Sequence, residues 1–202
     1  VEHPPQVKTL KAAVVDRREA MQLLMGYNSF NGYVWNKLFD LQLIRENDIR
    51  FHADYPACED TMFVGSYLYH CSRVCVTEEC LYCYRQVSGG ANRGRYSGRK
   101  AYDPKWMSVF EMTEYMADLY KDDAVTAACR LHEVREAGIV LRSMEAAGYH
   151  GADHARLKGI LRRGASLFFR DENSGRSQKL SVLLSCISPK LELAVWKLRN
   201  RK

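Results

Sequence analysis

Lys121–Gly148 reads KDDAVTAACRLHEVREAGIVLRSMEAAG, and its pattern decides the fold class. Ala127, Leu131, Val134, Gly138 and Leu141 recur at four-three-four-three spacing, the seam of a helix that packs against another helix. Asp122-Asp123 favour its start, because carboxylates near a helix N-terminus complement its dipole. Gly148 ends it, since glycine accepts the left-handed conformation of a helix C-cap. Partners for that seam lie on both sides. Downstream, Asp153 opens a helix with Leu157, Ile160, Leu161 and Phe168 inward, and Asp171–Gly175 is a turn. Leu180, Leu183, Leu184 and Ile187 form a further stripe stopped by Pro189, and Leu191, Ala194, Val195 and Leu198 form the last. Upstream, Asp103 as N-cap with Pro104 at the first helical position starts a helix with Trp106, Val109, Phe110 and Ala117 on one face.

The first half mixes shorter pieces. Asp16-Arg-Arg-Glu19 has the pattern of a capping box and opens a helix ending near Gly26. A loop rich in Asn and Gly covers Tyr27–Tyr33. A second helix is predicted over Val34–Glu46, with Trp35, Leu38 and Phe39 on one face. Ile49–Phe51 is a short extended piece, and a loop His52–Cys58 contains Pro56. Glu59-Asp60 start a third helix with Phe63, Val64, Tyr67 and Cys71 at helical spacing. Arg73–Val76 and Leu81–Gln86 are rich in β-branched and aromatic residues and read as a hairpin around Thr77–Cys80. Ser88–Gly98, with its glycines and arginines, reads as a mobile loop. The fold class is therefore α+β and mostly helical: a short β-hairpin in the N-terminal half, then a helical C-terminal extension. The natural division gives residues 1–98 and 99–202.

Composition narrows the function classes. At 47% hydrophobic and 27% charged residues, the chain of 202 has material for a core. No apolar run approaches the ~18 residues of a membrane span. VEHPPQVKTL at the start has no apolar signal-peptide core, and a first residue Val1 suggests an excised segment. The net charge of +6 favours anionic partners in general. No nucleic-acid motif accompanies it, so a solvated basic surface is the reading. Seven cysteines are an odd number, so reduced thiols and a cytoplasmic location are expected. Cys71, Cys75, Cys80 and Cys83 beside His70 raise the alternative of a zinc module. Within one strand, however, Cys80 and Cys83 would point to opposite faces. Small buried thiols are the preferred reading, and no metal ligand is assigned.

Four blocks carry a resemblance. Val34-Trp-Asn-Lys-Leu-Phe39, Ile49-Arg-Phe51, Glu59-Asp-Thr-Met-Phe63 and Leu81-Tyr-Cys-Tyr-Arg85 follow in the order W-N-K-L-F, I-R-F, E-D-T-x-F, L-Y-x-Y-R. The stretch Asp16–Gly90 thereby resembles the last third of the catalytic domain of family 2 glycosyltransferases of the GT-A fold, bacterial enzymes that build capsule, exopolysaccharide and cell-wall glycans. The family's nucleotide-binding α/β half and its D-x-D metal motif have no counterpart in this chain. Asp122-Asp123 is a poor substitute, being part of a helix start.

The resemblance implies transfer of a sugar, with inversion, from a nucleotide-sugar donor to a glycan or lipid-linked acceptor. It carries the role of catalytic base onto Asp60, with Glu59 its neighbour in the acceptor pocket. Lys37 and Arg85 become candidates for the diphosphate or the acceptor, because both offer charge-assisted hydrogen bonds to anionic oxygen. From pattern alone Lys37 is equally a surface helix lysine. Trp35 is a candidate sugar platform that pattern alone assigns to the core. Arg93, Arg95 and Arg99 sit in a loop that in such enzymes closes over the donor. A divalent metal, Mg or Mn, is expected with a full-length parent enzyme, and no cofactor with this segment alone. The segment alone is expected to be inactive. The alternative function is a non-catalytic helical interaction module. Peripheral contact with the inner membrane face is a further expectation, through the basic C-terminal helix with Trp196, Lys197, Arg199, Arg201 and Lys202.

Overall fold

A computed structural model describes residues 12–26, 30–77, 79, 81–85 and 102–200. The loop 88–98, Cys80, Arg93, Arg95, Arg99, Arg201 and Lys202 named above lie outside the described residues.

The fold is mostly helical, with one antiparallel strand pair in the N-terminal half. Strand β1 (Ala13–Val15) leads into helix α1 (Arg17–Met25). Asp16 caps α1, its Oδ1 accepting from the Glu19 amide at 2.8 Å. Helix α2 (Leu41–Glu46) and helix α3 (Glu59–His70) follow, then strand β2 (Val74–Val76). After Asp103, whose side chain accepts from the Lys105 amide, a 3-10 turn Pro104–Met107 runs into helix α4 (Ser108–Tyr120). Helices α5 (Asp123–Ala147), α6 (Ala152–Arg170), α7 (Arg176–Ile187) and α8 (Pro189–Arg199) complete the chain.

Helix α5 is the axis. Its Asp122 N-cap accepts from the Ala124 and Val125 amides, and Gly148 closes it with φ +70°. The sequence predicts a single packing seam, but α5 packs against α1, α4, α6, α7 and α8. From Glu136 to Met144 only Ile139 is not fully buried. A helix enclosed on all sides has no polar face to spare, so Glu136 and Arg142 are buried with it and need polar partners.

Two cores form around α5. One joins Ala20, Met21 and Leu24 of α1, Met62 and Val64 of α3, Met112 and Met116 of α4, and Val125 and Cys129 of α5. It therefore draws on residues from both sides of position 98. The second joins Phe110, Val134, Val140, Leu141 and Met144 to Leu157, Ile160, Leu161 and Phe168 of α6 and Val182 of α7.

Four local expectations are corrected. The partner of β2 is β1, in the register Ala13↔Val76, Val14↔Cys75 and Val15↔Val74, and Leu81–Arg85 carries no strand. Because α1 and α3 pack together, the chain entering α1 and the chain leaving α3 lie side by side, and pairing them satisfies their backbone groups. The predicted helix over Val34–Glu46 begins only at Leu41. Asp40 Oδ1 takes the Gln42 and Leu43 amides, and the Asp40 amide donates to Tyr67 Oη at 2.8 Å, so the chain before it is held in turns and Leu38 is fully exposed. Of the described cysteines in the Cys71–Cys83 stretch, Cys71 is half-buried and Cys75 and Cys83 are exposed, whereas Cys58 and Cys129 are buried. Lastly, the apolar stripes of α7 and α8 face outward. Leu180, Leu183, Ile187, Leu191 and Leu198 are exposed, and Val182, Ser185 and Glu192 turn toward the interior. The interior at this level is set by the Arg142 side chain of α5, which a carboxylate satisfies and a leucine does not.

Candidate functional site

Phe63, in the second turn of α3, draws the separated sequence blocks together. Phe51 stacks on it with centroids 4.4 Å apart and planes 11° from parallel. Phe39 meets it edge-on at 5.4 Å and meets Tyr67 at 4.9 Å. Such pairs add about 0.5–1.5 kcal/mol each beyond burial. The block Leu81–Arg85 docks through Trp35, which stacks on Tyr84 at 4.9 Å, tilts over Tyr82 at 4.8 Å and stacks on Tyr33 at 5.2 Å. Tyr82 and Tyr84 thus both reach the same indole.

Lys37 shapes the turn between these blocks. Its ammonium donates to the carbonyls of Phe30 (3.2 Å), Asn31 (2.7 Å) and Tyr33 (2.7 Å), and to Asn36 Oδ1 (2.8 Å). Partial burial lowers its pKa to about 8, with Asp60 drawing it back up. Lys37 is thus charged at neutral pH, and its hydrogens are taken by the loop it gathers. The same loop lies against α3: a Cβ added at Gly32 would overlap the Thr61 side chain, so only glycine fits there.

The first turn of α3 opens onto a groove of about 780 Å³. Glu59 and Asp60 stand in one wall with Asn31 and Tyr33. The 3-10 turn contributes Lys105 and Trp106. The floor is a face of α5 carrying His132, Arg135, Ile139 and Arg142, and the far wall is formed by α7 and α8 with Ser181, Glu192, Trp196 and Arg199. The charges of the floor are partnered within the protein. Arg135 donates to the Met25 carbonyl at 3.3 Å and lies 2.6 Å from His132 Nδ1. Arg142 donates to Glu192 Oε1 at 2.8 Å, Ser181 Oγ donates to the same oxygen at 2.6 Å, and the guanidinium lies over the Trp196 ring at 5.0 Å. Among the described residues no cation closes an ion pair on Glu59 or Asp60, which leaves the two carboxylates facing the groove.

Of the residues singled out in the sequence, Asp60, Glu59 and Lys37 come together at the start of α3, and Trp35 stands beside them through Tyr33. Arg85 is exposed at the end of the described Leu81–Arg85 stretch, and no contact joins it to Asp60. Asp122 does not suit a diphosphate-bound metal: it is engaged in capping α5 and pairs with Arg18 at 3.2 Å. The Arg142–Glu192–Trp196 group went unread in the sequence, since its members lie in different helices and Glu192 interrupts what looks like an apolar stripe.

No protein-family model, no curated protein and no solved structure matches the chain.

Proposed function

We propose that this chain is the acceptor side of an inverting nucleotide-sugar glycosyltransferase, with Asp60 as its general base. The observation that carries the reading is convergence. Three of the four blocks meet at Phe63 in the first two turns of α3, and the fourth, Leu81–Arg85, packs on Trp35 of the first block; there Asp60 faces a groove large enough for a sugar acceptor. The Tyr33–Trp35–Tyr82–Tyr84 cluster adds exposed aromatic faces beside it, suited to the apolar face of a pyranose ring.

In the proposed reaction Asp60 takes the proton from an acceptor hydroxyl. That oxygen attacks the anomeric carbon of the donor, and the nucleoside diphosphate departs from the opposite face, which inverts the configuration. Glu59 contacts the acceptor. Lys37 holds the loop that walls the groove. The Mg or Mn that would balance the diphosphate belongs with a nucleotide-binding half, since the aspartates present here do not suit it, and no step is assigned to it.

The test is Asp60→Asn in a chain carrying this segment together with a nucleotide-binding half. Asparagine is tolerated at a helix start but takes no proton. Turnover is expected to fall about 10²–10⁴-fold with donor affinity nearly unchanged, and Glu59→Gln to do less. A folded Asp60→Asn enzyme with near-normal turnover would overturn the assignment.

The outward apolar stripe of α7 and α8 supports a second reading, contact with an anionic bilayer surface, because exposed Lys190 and Lys197 flank it. Among the described residues no helix is long and apolar enough to cross a membrane, so such contact would be peripheral. Trp196 turns inward under Arg142 and takes no part. Co-sedimentation with anionic but not neutral vesicles, lost in Leu183→Glu, is the expected result; no binding at low salt refutes it.

A further inference from the structure

The corner between α5 and α6 places two imidazoles on one buried carboxylate. Gly148, in the left-handed conformation, turns the chain back over the last turn of α5, with the Gly148 amide donating to the Glu145 carbonyl and the Tyr149 amide to the Met144 carbonyl. This reversal carries His150 over α5, and α6 begins at Ala152, so His154 follows one helical turn later. His154 Nε2 lies 2.8 Å from Glu145 Oε1, and His150 Nδ1 lies 3.8 Å from the same oxygen. The two rings meet edge-on at 5.0 Å. One ligand atom from each of the three residues falls within 4.8 Å of the other two. The Glu145 side chain is only 4% exposed, whereas that of His150 is 48% exposed.

We propose that Glu145, His150 and His154 form a zinc site that ties the end of α5 to the start of α6. Zinc bonds of about 2.0–2.1 Å to nitrogen and oxygen, arranged tetrahedrally, put ligand atoms roughly 3.3 Å apart. The observed separations of 2.8 and 3.8 Å bracket that figure, so small side-chain rotations complete the set. A hydrogen-bonded pair of His154 with Glu145 accounts for two of the residues but not for His150. A divalent cation bound between the three gives each of them, His150 included, a common partner. The donor set selects the metal class. Two imidazole nitrogens and one carboxylate oxygen suit zinc and its transition-metal neighbours, whereas magnesium demands an octahedral shell of oxygens. Three protein ligands leave the fourth position to water, on the solvent side where His150 lies. None of the three residues lines the groove at Asp60, so this site stands apart from the proposed sugar-transfer site.

The experiment titrates chelator-treated chain with Zn²⁺ against a chromophoric competitor, and with Co²⁺ as a spectroscopic substitute. One equivalent of zinc is expected to bind, with no competition from magnesium. The cobalt form should show visible bands of low coordination number and no thiolate charge-transfer band. His150→Ala changes an exposed side chain and leaves the fold intact. It should weaken zinc binding by more than about 100-fold, beyond what loss of an outer-shell partner costs. Glu145→Gln should do the same, and Cys80→Ser/Cys83→Ser should change nothing. Zinc at a hundredfold excess over its dissociation constant should raise the thermal midpoint by roughly 5–10 °C in the unaltered chain, and not in His150→Ala. Absence of saturable binding, binding that survives His150→Ala, or binding lost with the cysteines would each overturn the proposal.

Discussion

Helix α6 and the pair α7–α8 carry apolar stripes of the same helical period, and they face opposite ways. In α6, Leu157, Ile160, Leu161 and Phe168 are buried against α5. In α7–α8, Leu180, Leu183, Ile187, Leu191 and Leu198 are exposed, and the inward positions are Val182, Ser185 and Glu192. The difference lies in what α5 presents to each. Toward α6 it offers Val134, Val140, Leu141 and Met144, which reward apolar contact. Toward α8 it offers the guanidinium of Arg142, which must be paired once it is out of water. A periodic stripe therefore predicts a helix, but the surface facing it decides which side of that helix is buried.

The most severe break in this contrast is Arg142→Ala. It leaves the Glu192 carboxylate, 4% exposed in its side chain, without its charge partner. Removing one member of a buried pair costs about 3–5 kcal/mol, to be read as a drop in the urea midpoint. Replacing both, Arg142→Met with Glu192→Leu, should recover most of that loss or exceed the original stability. If the single and double variants are equally destabilised, the pair is not what orients α8.

A pair of leucines sharpens the comparison directly. Leu161→Ala in α6 removes a fully packed side chain and should cost about 2–5 kcal/mol. Leu183→Ala in α7, where the residue is 44% exposed, should cost under about 1 kcal/mol. Thermal or chemical unfolding of the two variants decides it, and equal losses would mean that the α7 stripe is covered in solution.

The smallest effects concern thiols. Burial pushes the Cys129 thiol up to about 12, from an ordinary value near 9. The folded chain keeps this proton where the unfolded chain releases it. The stabilising contribution is therefore complete below pH 9 and is lost between about 9 and 12. Unfolding measured from pH 8 to 11 should show this decline, and Cys129→Ala should flatten it. Alkylation mapped by peptide mass should label exposed Cys75 and Cys83 first, then half-buried Cys71 and Cys186, and Cys58 and Cys129 only on unfolding.

Local signals were legible where a few neighbouring residues close their own hydrogen bonds. Asp16, Asp103 and Gly148 marked helix ends correctly, because a cap is satisfied within one turn. Glu59-Asp60 marked the start of α3 for a related reason: carboxylates are favourable beside unpaired amide groups. The Val34–Glu46 stretch misled because its apolar spacing is helical, while Lys37 gathers the carbonyls of the loop before it and Tyr67, distant in sequence, takes the Asp40 amide.

The amino-acid sequence by itself determined that the chain is mostly helical, where most helices begin and end, and that Glu59 and Asp60 sit at a helix start. Those properties follow from local backbone hydrogen bonding and side-chain period. Only the tertiary structure decided that β2 pairs with β1, that Phe39 and Phe51 meet at Phe63 while Tyr82 and Tyr84 pack on Trp35, that α7 and α8 turn their leucines outward, and that Glu145 faces two histidines. Each of these depends on which surfaces meet across long stretches of chain, and a buried charge such as Arg142 outweighs the apolar pattern of the helix it faces.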